Sequence, residues 1–242
     1  MRSVVKPMVL GLALWLSAAG EARARDWHLS LLGAGQVVAA PEFDPLAGDD
    51  GLAYFQIEGG LEIDELLEGL SLELAYQTAD RSASLFSGEQ PELTTGLVLH
   101  GLSLSAVYRL PLADWLGLAG RLGGSLDFVR LRVAGTEAGT LLERWELACP
   151  GGFATLGLEL SLPRTLWRRW LDRPAGDPRS GFTIGLRLEA GWQLRAPLDY
   201  GRVEAKTVAA DGEGAAVERR PIDLGRLRLD GFLWRAGLYA VF

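Results

Sequence analysis

The stretch Gly231-Phe-Leu-Trp-Arg-Ala-Gly-Leu-Tyr-Ala-Val-Phe242 decides how the chain is read. Counting back in twos from Phe242 gives Ala240, Leu238, Ala236, Trp234 and Phe232, all apolar. The other phase carries Arg235 and Tyr239, with Gly237 between them. Side chains on a strand alternate between two faces, so this segment has one greasy face and one that tolerates a charge.

The same alternation recurs upstream. Leu29, Leu31 and Val37 share a phase opposite His28, Ser30 and Gln36. Phe55, Ile57 and Leu61 oppose Tyr54, Gln56, Glu58 and Glu62, and Leu70, Leu72, Leu74 and Tyr76 oppose Ser71, Glu73 and Gln77. Leu102, Leu104, Ala106, Tyr108 and Leu110 oppose Gly101, Ser103, Ser105 and Arg109. Leu118, Leu122, Leu126 and Phe128 oppose Arg121, Ser125 and Asp127, and Leu156, Leu158, Leu160 and Leu162 oppose Thr155, Glu159 and Ser161. Phe182, Ile184, Leu186, Leu188, Trp192 and Leu194 oppose Thr183, Arg187, Glu189, Gln193 and Arg195. With the terminal segment these make about eight strands, an even count that returns both chain ends to one side of a closed sheet. Short connections at Asp64 to Gly69 and Pro111 to Trp115 alternate with longer ones, 40–51, 81–94 and 199–228, rich in Gly, Pro, Asp and Glu and expected as solvated loops.

A greasy strand that ends the chain on Phe242, behind an export signal, resembles the terminal strand of the small eight-stranded bacterial outer-membrane proteins, such as the membrane domain of outer membrane protein A. The resemblance spans residues 25–242 in architecture and rests on pattern. It implies an all-β fold, an eight-stranded antiparallel transmembrane up-and-down β-barrel with both termini on the periplasmic side. It implies residence in the bacterial outer membrane, contact with its lipid and lipopolysaccharide, and a monomer. It implies that Phe242, Ala240 and Leu238 are read by the barrel assembly machinery.

Residues 1–24 read as the signal. Arg2 and Lys6 precede an uncharged apolar run, Met8 to Ala19, and Ala22-Arg23-Ala24 is a small-x-small cleavage site. The run is too short to span a bilayer as a helix, which takes about 20 residues. No later stretch is uniformly apolar over the roughly 18 residues that mark a transmembrane helix.

The balance is acidic, a formal −7 over 242 residues, and losing Arg2, Lys6, Arg23 and Glu21 with the signal makes it more so. That argues against nucleic acid, which needs a basic patch. A single cysteine, Cys149, forms no internal disulfide, and Cys149-Pro-Gly-Gly152 reads as a turn or bulge. With only His28 and His100 no His-rich metal site is available, and no nucleotide-binding loop, CxxC or EF-hand pattern occurs. No cofactor or metal is expected.

Alternation alone does not say which phase faces inward; a soluble, lipocalin-like binder with an apolar pocket shows it in the opposite sense. Three features favour lipid outside. The terminal Phe242 strand resembles the signature that the outer-membrane assembly machinery reads. The polar phase mixes small residues with charges of both signs, and the only lysine after the signal is Lys206. Trp27, Trp115, Trp192 and Trp234 lie at strand ends or in the apolar phase, as in interfacial girdles. A narrow barrel is filled by side chains, and buried charges must pair. Glu58, Glu73, Arg121, Glu159, Arg187, Glu189 and Arg235 are therefore expected to form a lumenal network, either a static plug or a gate that opens as pairs exchange.

The chain lacks a specific catalytic motif, and the expected role is non-enzymatic: membrane integrity, surface contact through 81–94 and 199–228, or very limited permeation. An outer-leaflet lipid-modifying enzyme would have to use His100, yet Ser103 is three residues away and falls on the opposite face. His28 is expected at the periplasmic rim. The basic, aromatic segment 163–180, with Leu166, Trp167, Trp170 and Leu171 at helical spacing, reads as an interfacial helix or as a turn packed under the barrel.

Overall fold

The computed structural model describes residues 27–39, 51–63, 66–87, 90–135, 143–162, 183–208 and 217–242. Residues 1–24, read as a signal, and the basic segment 163–180 lie outside the described residues. Ten strands are present among them: β1 (Trp27–Val38), β2 (Gly51–Glu62), β3 (Leu70–Ser87), β4 (Gln90–Ala113), β5 (Leu116–Gly135), β6 (Glu143–Ser161), β7 (Thr183–Arg195), β8 (Leu198–Val208), β9 (Val217–Leu227) and β10 (Gly231–Val241).

Eight of these close into an antiparallel barrel in the order β1-β10-β7-β6-β5-β4-β3-β2, while β8 and β9 pair only with each other. The seam joins the two ends of the sheet, from His28 opposite Val241 to Val38 opposite Gly231. It is finished by Trp27 and Phe242, whose backbones exchange hydrogen bonds of 3.3 and 2.8 Å. Closure leaves no open sheet edge, a condition for crossing lipid with strands.

The apolar phase faces outward. Leu31, Phe55, Leu104, Leu122, Leu156, Leu186, Trp234 and Leu238 are exposed, while Ser30, Glu58, Glu73, Arg121, Asp127, Glu159, Arg187 and Arg235 are buried in the lumen. This sense is opposite to the lipocalin-like alternative, in which the apolar phase would line the interior. At about 3.3 Å per residue and a tilt of about 40°, the run from Phe232 to Phe242 rises about 25 Å, the height of the apolar band on an outer-membrane barrel.

The strands are unequal. β3 to β6 run 18 to 24 residues, while β1, β2, β7 and β10 run 11 to 13. The long strands continue past the apolar band as a wall, and there the alternation changes sense. Below the change Leu102 and Phe128 face out. Above it Asp80 and Arg130 face out, while Ala79, Leu97, Leu99, Val129 and Leu131 are buried inside. That inner face is packed by Leu198, Tyr200, Leu227 and Leu229 at the root of the β8–β9 hairpin, together with Leu52, Val38 and Leu233. The barrel thus carries an ordinary apolar core above a polar lumen.

Two segments expected as loops are therefore strands. Within 81–94, residues 81–87 and 90–94 are the ends of β3 and β4, paired from Arg81 opposite Leu97 to Ser87 opposite Gln90. Residues 199–228 hold most of the β8–β9 hairpin. Their polar, Gly-rich composition read as loop because it lacks an apolar alternate phase; the ladders pair their backbones all the same. Cys149-Pro-Gly-Gly152 is likewise no turn. β6 runs through it, with Asp127 opposite Cys149 and Leu126 opposite Pro150. The Pro150 carbonyl accepts from the Ala196 N–H at 2.8 Å; proline has no N–H to return, and the Ala196 carbonyl accepts instead from Cys149 Sγ at 3.0 Å.

The β2–β3 turn closes on Gly69, at φ +79, in the left-handed region open to glycine. The β4–β5 turn is tight, at Asp114 and Trp115.

Candidate functional site: the charged lumen and its apolar cap

Every barrel strand places at least one ionisable residue in a single lumenal network: His28 on β1, Glu58 on β2, Glu73 on β3, Arg109 on β4, Arg121 on β5, Glu159 on β6, Arg187 and Glu189 on β7, and Arg235 on β10. The inward phase of each strand puts them there, and the narrow barrel brings them together.

Arg121 is the hub. Its Nη1 and Nη2 donate to both carboxylate oxygens of Glu58 at 2.8 and 3.0 Å. Nη2 also lies 2.5 Å from Glu73 and 3.1 Å from Glu189. Arg187 donates to Glu58 at 2.9 Å and to Glu159 at 2.8 Å, and its guanidinium lies over the Tyr239 ring. Arg109 donates through Nε to Glu159 at 3.1 Å, through Nη1 to Ser71 at 2.6 Å, and pairs with Glu73. Arg235 is held more loosely, 3.6 Å from Glu58 and 3.5 Å from Glu189, with its guanidinium 4.6 Å above the Phe153 ring. All seven residues expected from the sequence meet here.

Arg109 and His28 join them. Arg109 shares the polar phase but sits near the strand end. His28, expected at the rim, is buried, with Nε2 2.7 Å from Glu73 Oε1. Room for its ring comes from Gly60, opposite it on β2, where an added Cβ would fall 1.8 Å from Nε2. Four arginines and four glutamates balance around one imidazole, which makes burial of so many charges tolerable.

A second polar layer sits above the first. Asp127 accepts from Arg195 at 2.6 Å and from Gln77 at 2.7 Å. Arg195 also donates to Gln36 at 2.6 Å, and Tyr54 donates to the same oxygen at 2.5 Å. This layer pins the hairpin root: Leu229 O accepts from Gln36 at 2.6 Å and from Arg195 at 3.1 Å, and the Arg195 N–H donates to Asp230 Oδ1 at 2.5 Å. Asp127 and Arg195 stood in the polar phase; what alternation does not carry is their height in the barrel, which separates them from the lower network. Gly101 leaves space for this layer, since a Cβ there would meet Asp127 Oδ1 at 1.9 Å.

Of the terminal residues, Leu238 and Phe242 are exposed on the outer face and Ala240 lies on the same phase. His100 faces outward, while Ser103 and Ser105 are buried in the lumen. Among the described residues no group of three His, Cys, Asp or Glu is close enough to hold a metal ion.

No family model matches the chain, and no curated protein matches it. Solved structures do. The attachment invasion locus protein of Yersinia pestis aligns at 10% identity over 91% of this chain and 100% of its own, with a TM-score of 0.41. Neisserial surface protein A aligns at 12% identity over 90% and 97%, with a TM-score of 0.43. A major outer membrane protein from Thermus thermophilus aligns at 11% identity over 89% and 99%, with a TM-score of 0.47.

Proposed function

We propose that the protein is a non-enzymatic outer-membrane β-barrel, sealed through its lumen, that supports membrane integrity and presents the β3–β6 wall and the β8–β9 hairpin for surface contact. The observation that carries this reading is the lumenal network, to which all eight strands contribute. Pairs at 2.8 to 3.0 Å and an apolar cap above them leave permeation very limited at most. The outward position of His100, with Ser103 and Ser105 on the opposite face, supports a non-catalytic role, because a base must reach its nucleophile. In this reading the short turns and both termini lie in the periplasm, the long strands point outward, the outer surface meets lipopolysaccharide, and Phe242, Ala240 and Leu238 serve the assembly machinery.

The test is gel mobility of the outer-membrane fraction with and without boiling, followed by conductance in planar bilayers. The expected result is a heat-dependent shift and no steady conductance. A soluble protein without a shift would overturn the membrane reading. A stable open conductance would overturn the sealed lumen.

A further inference from the structure

The outer wall carries one polar cluster at the upper edge of its apolar band. His100 Nδ1 lies 2.8 Å from the Tyr76 hydroxyl and 3.3 Å from Thr78 Oγ1, and its ring stacks on Tyr76 with an interplanar angle of 9°. All three side chains are half-buried and face outward. In the tautomer in which Nδ1 accepts from a hydroxyl, Nε2 carries the proton and offers it away from the cluster. Arg130 faces out at the same edge, one step above Phe128, the residue opposite His100. Asp80, of opposite charge, is exposed across Val98 from Arg130. The cluster therefore selects by hydrogen bonding as much as by net charge.

Below it, also on β4, an apolar groove of about 740 Å³ opens on the outer wall. Ala106, Gly120, Ala154 and Ala190, on four adjacent strands, leave its floor low, and Leu122 and Leu156 stand up from it, 69% and 68% exposed. From His100 to Ala106 the strand descends about 15 Å, half of the roughly 30 Å hydrocarbon core.

We propose that this cluster and groove form a binding site for one lipid A molecule of the outer leaflet, its phosphate taken by His100 Nε2 beside Arg130 and an acyl chain lying in the groove. The inference rests on the outer-membrane reading above, which puts the long strand ends in the outer leaflet.

The test uses the full-length barrel in detergent, titrated with bisphosphorylated lipid A, dephosphorylated lipid A or phosphatidylglycerol, with bound lipid counted by native mass spectrometry. The wild type is expected to retain one bisphosphorylated lipid A, about tenfold more tightly than the dephosphorylated form, as the loss of one charge-assisted hydrogen bond implies. His100→Phe keeps the stacking on Tyr76 and removes both nitrogens; it is expected to abolish that preference. Ala154→Trp fills the groove and is expected to weaken both forms of lipid A. Equal retention by the wild type and His100→Phe, or equal binding of phosphatidylglycerol, would overturn the proposal. Fractionation and heat-dependent mobility of the same proteins separate the two failures. A folded outer-membrane barrel indifferent to His100→Phe removes this site alone; a chain absent from the membrane removes the reading beneath it.

Discussion

Arg121 grips both carboxylate oxygens of Glu58, at 2.8 and 3.0 Å, across the lumen from a strand three places away around the barrel. Neither residue has an alternative in water, because both side chains are fully buried. Removing one partner unbalances the buried network: Glu58 keeps Arg187, and Arg121 keeps Glu73 and Glu189, but one charge is left in excess. Arg121→Met is expected to lower stability by about 3–5 kcal/mol, and Glu58→Gln to act in the same direction. The double variant is expected to lose less than the sum of the two. Urea titration followed by gel mobility measures all three, and strict additivity would show that the pair is not coupled.

Arg195 ties the lumen to the hairpin above it. Its guanidinium holds Asp127 and Leu229 O, and its backbone N–H holds Asp230. Arg195→Met is expected to loosen the root of β8–β9 while leaving the lower network in place. Hydrogen exchange in Leu198–Val208 is expected to quicken about tenfold or more, since hydrogen bonds to charged groups contribute about 1.5–3 kcal/mol. Equal acceleration in β2 would instead report a barrel unfolding as a whole.

Gly60 is small because His28 occupies the space beside it. Gly60→Ala is expected to cost about 1–3 kcal/mol by forcing the ring from its place against Glu73. Adding His28→Ala to that variant is expected to remove the clash, so its urea midpoint should fall no further than that of His28→Ala alone. A midpoint lowered by the full sum would place the strain elsewhere.

Phe242 closes the barrel seam through two backbone hydrogen bonds to Trp27. Deleting it is expected to leave export intact while sharply reducing the heat-modifiable form in the outer membrane. A Phe242→Ala chain keeps both backbone bonds but lacks the ring. If the ring is the assembly signal, this variant fails as the deletion does; if only closure matters, it assembles normally.

The eight barrel strands, and the phase that the seven charged residues share with the other polar side chains, were legible in the alternation, because a period of two is local to each extended strand. Less was legible beyond the apolar band. There Asp80 and Arg130 face out while Leu97 and Leu99 face in, and 81–94 and 199–228, which carry no apolar alternate phase, read as loops. Cys149-Pro-Gly-Gly152 carries turn residues, and only the contact of Cys149 Sγ with the Ala196 carbonyl shows how a proline fits there.

The sequence by itself determined which residues share a face, since that depends only on the geometry of an extended backbone. Which phase faces outward was favoured by the placement of the tryptophans and the scarcity of lysine. Tertiary structure decided the rest: that Arg121 meets Glu58, that His28 turns inward over Gly60, and that Arg195 leaves the lower network to hold the hairpin. Those pairings depend on strand tilt and register around a closed sheet, which set the height of each side chain in the lumen and follow only from closing the barrel.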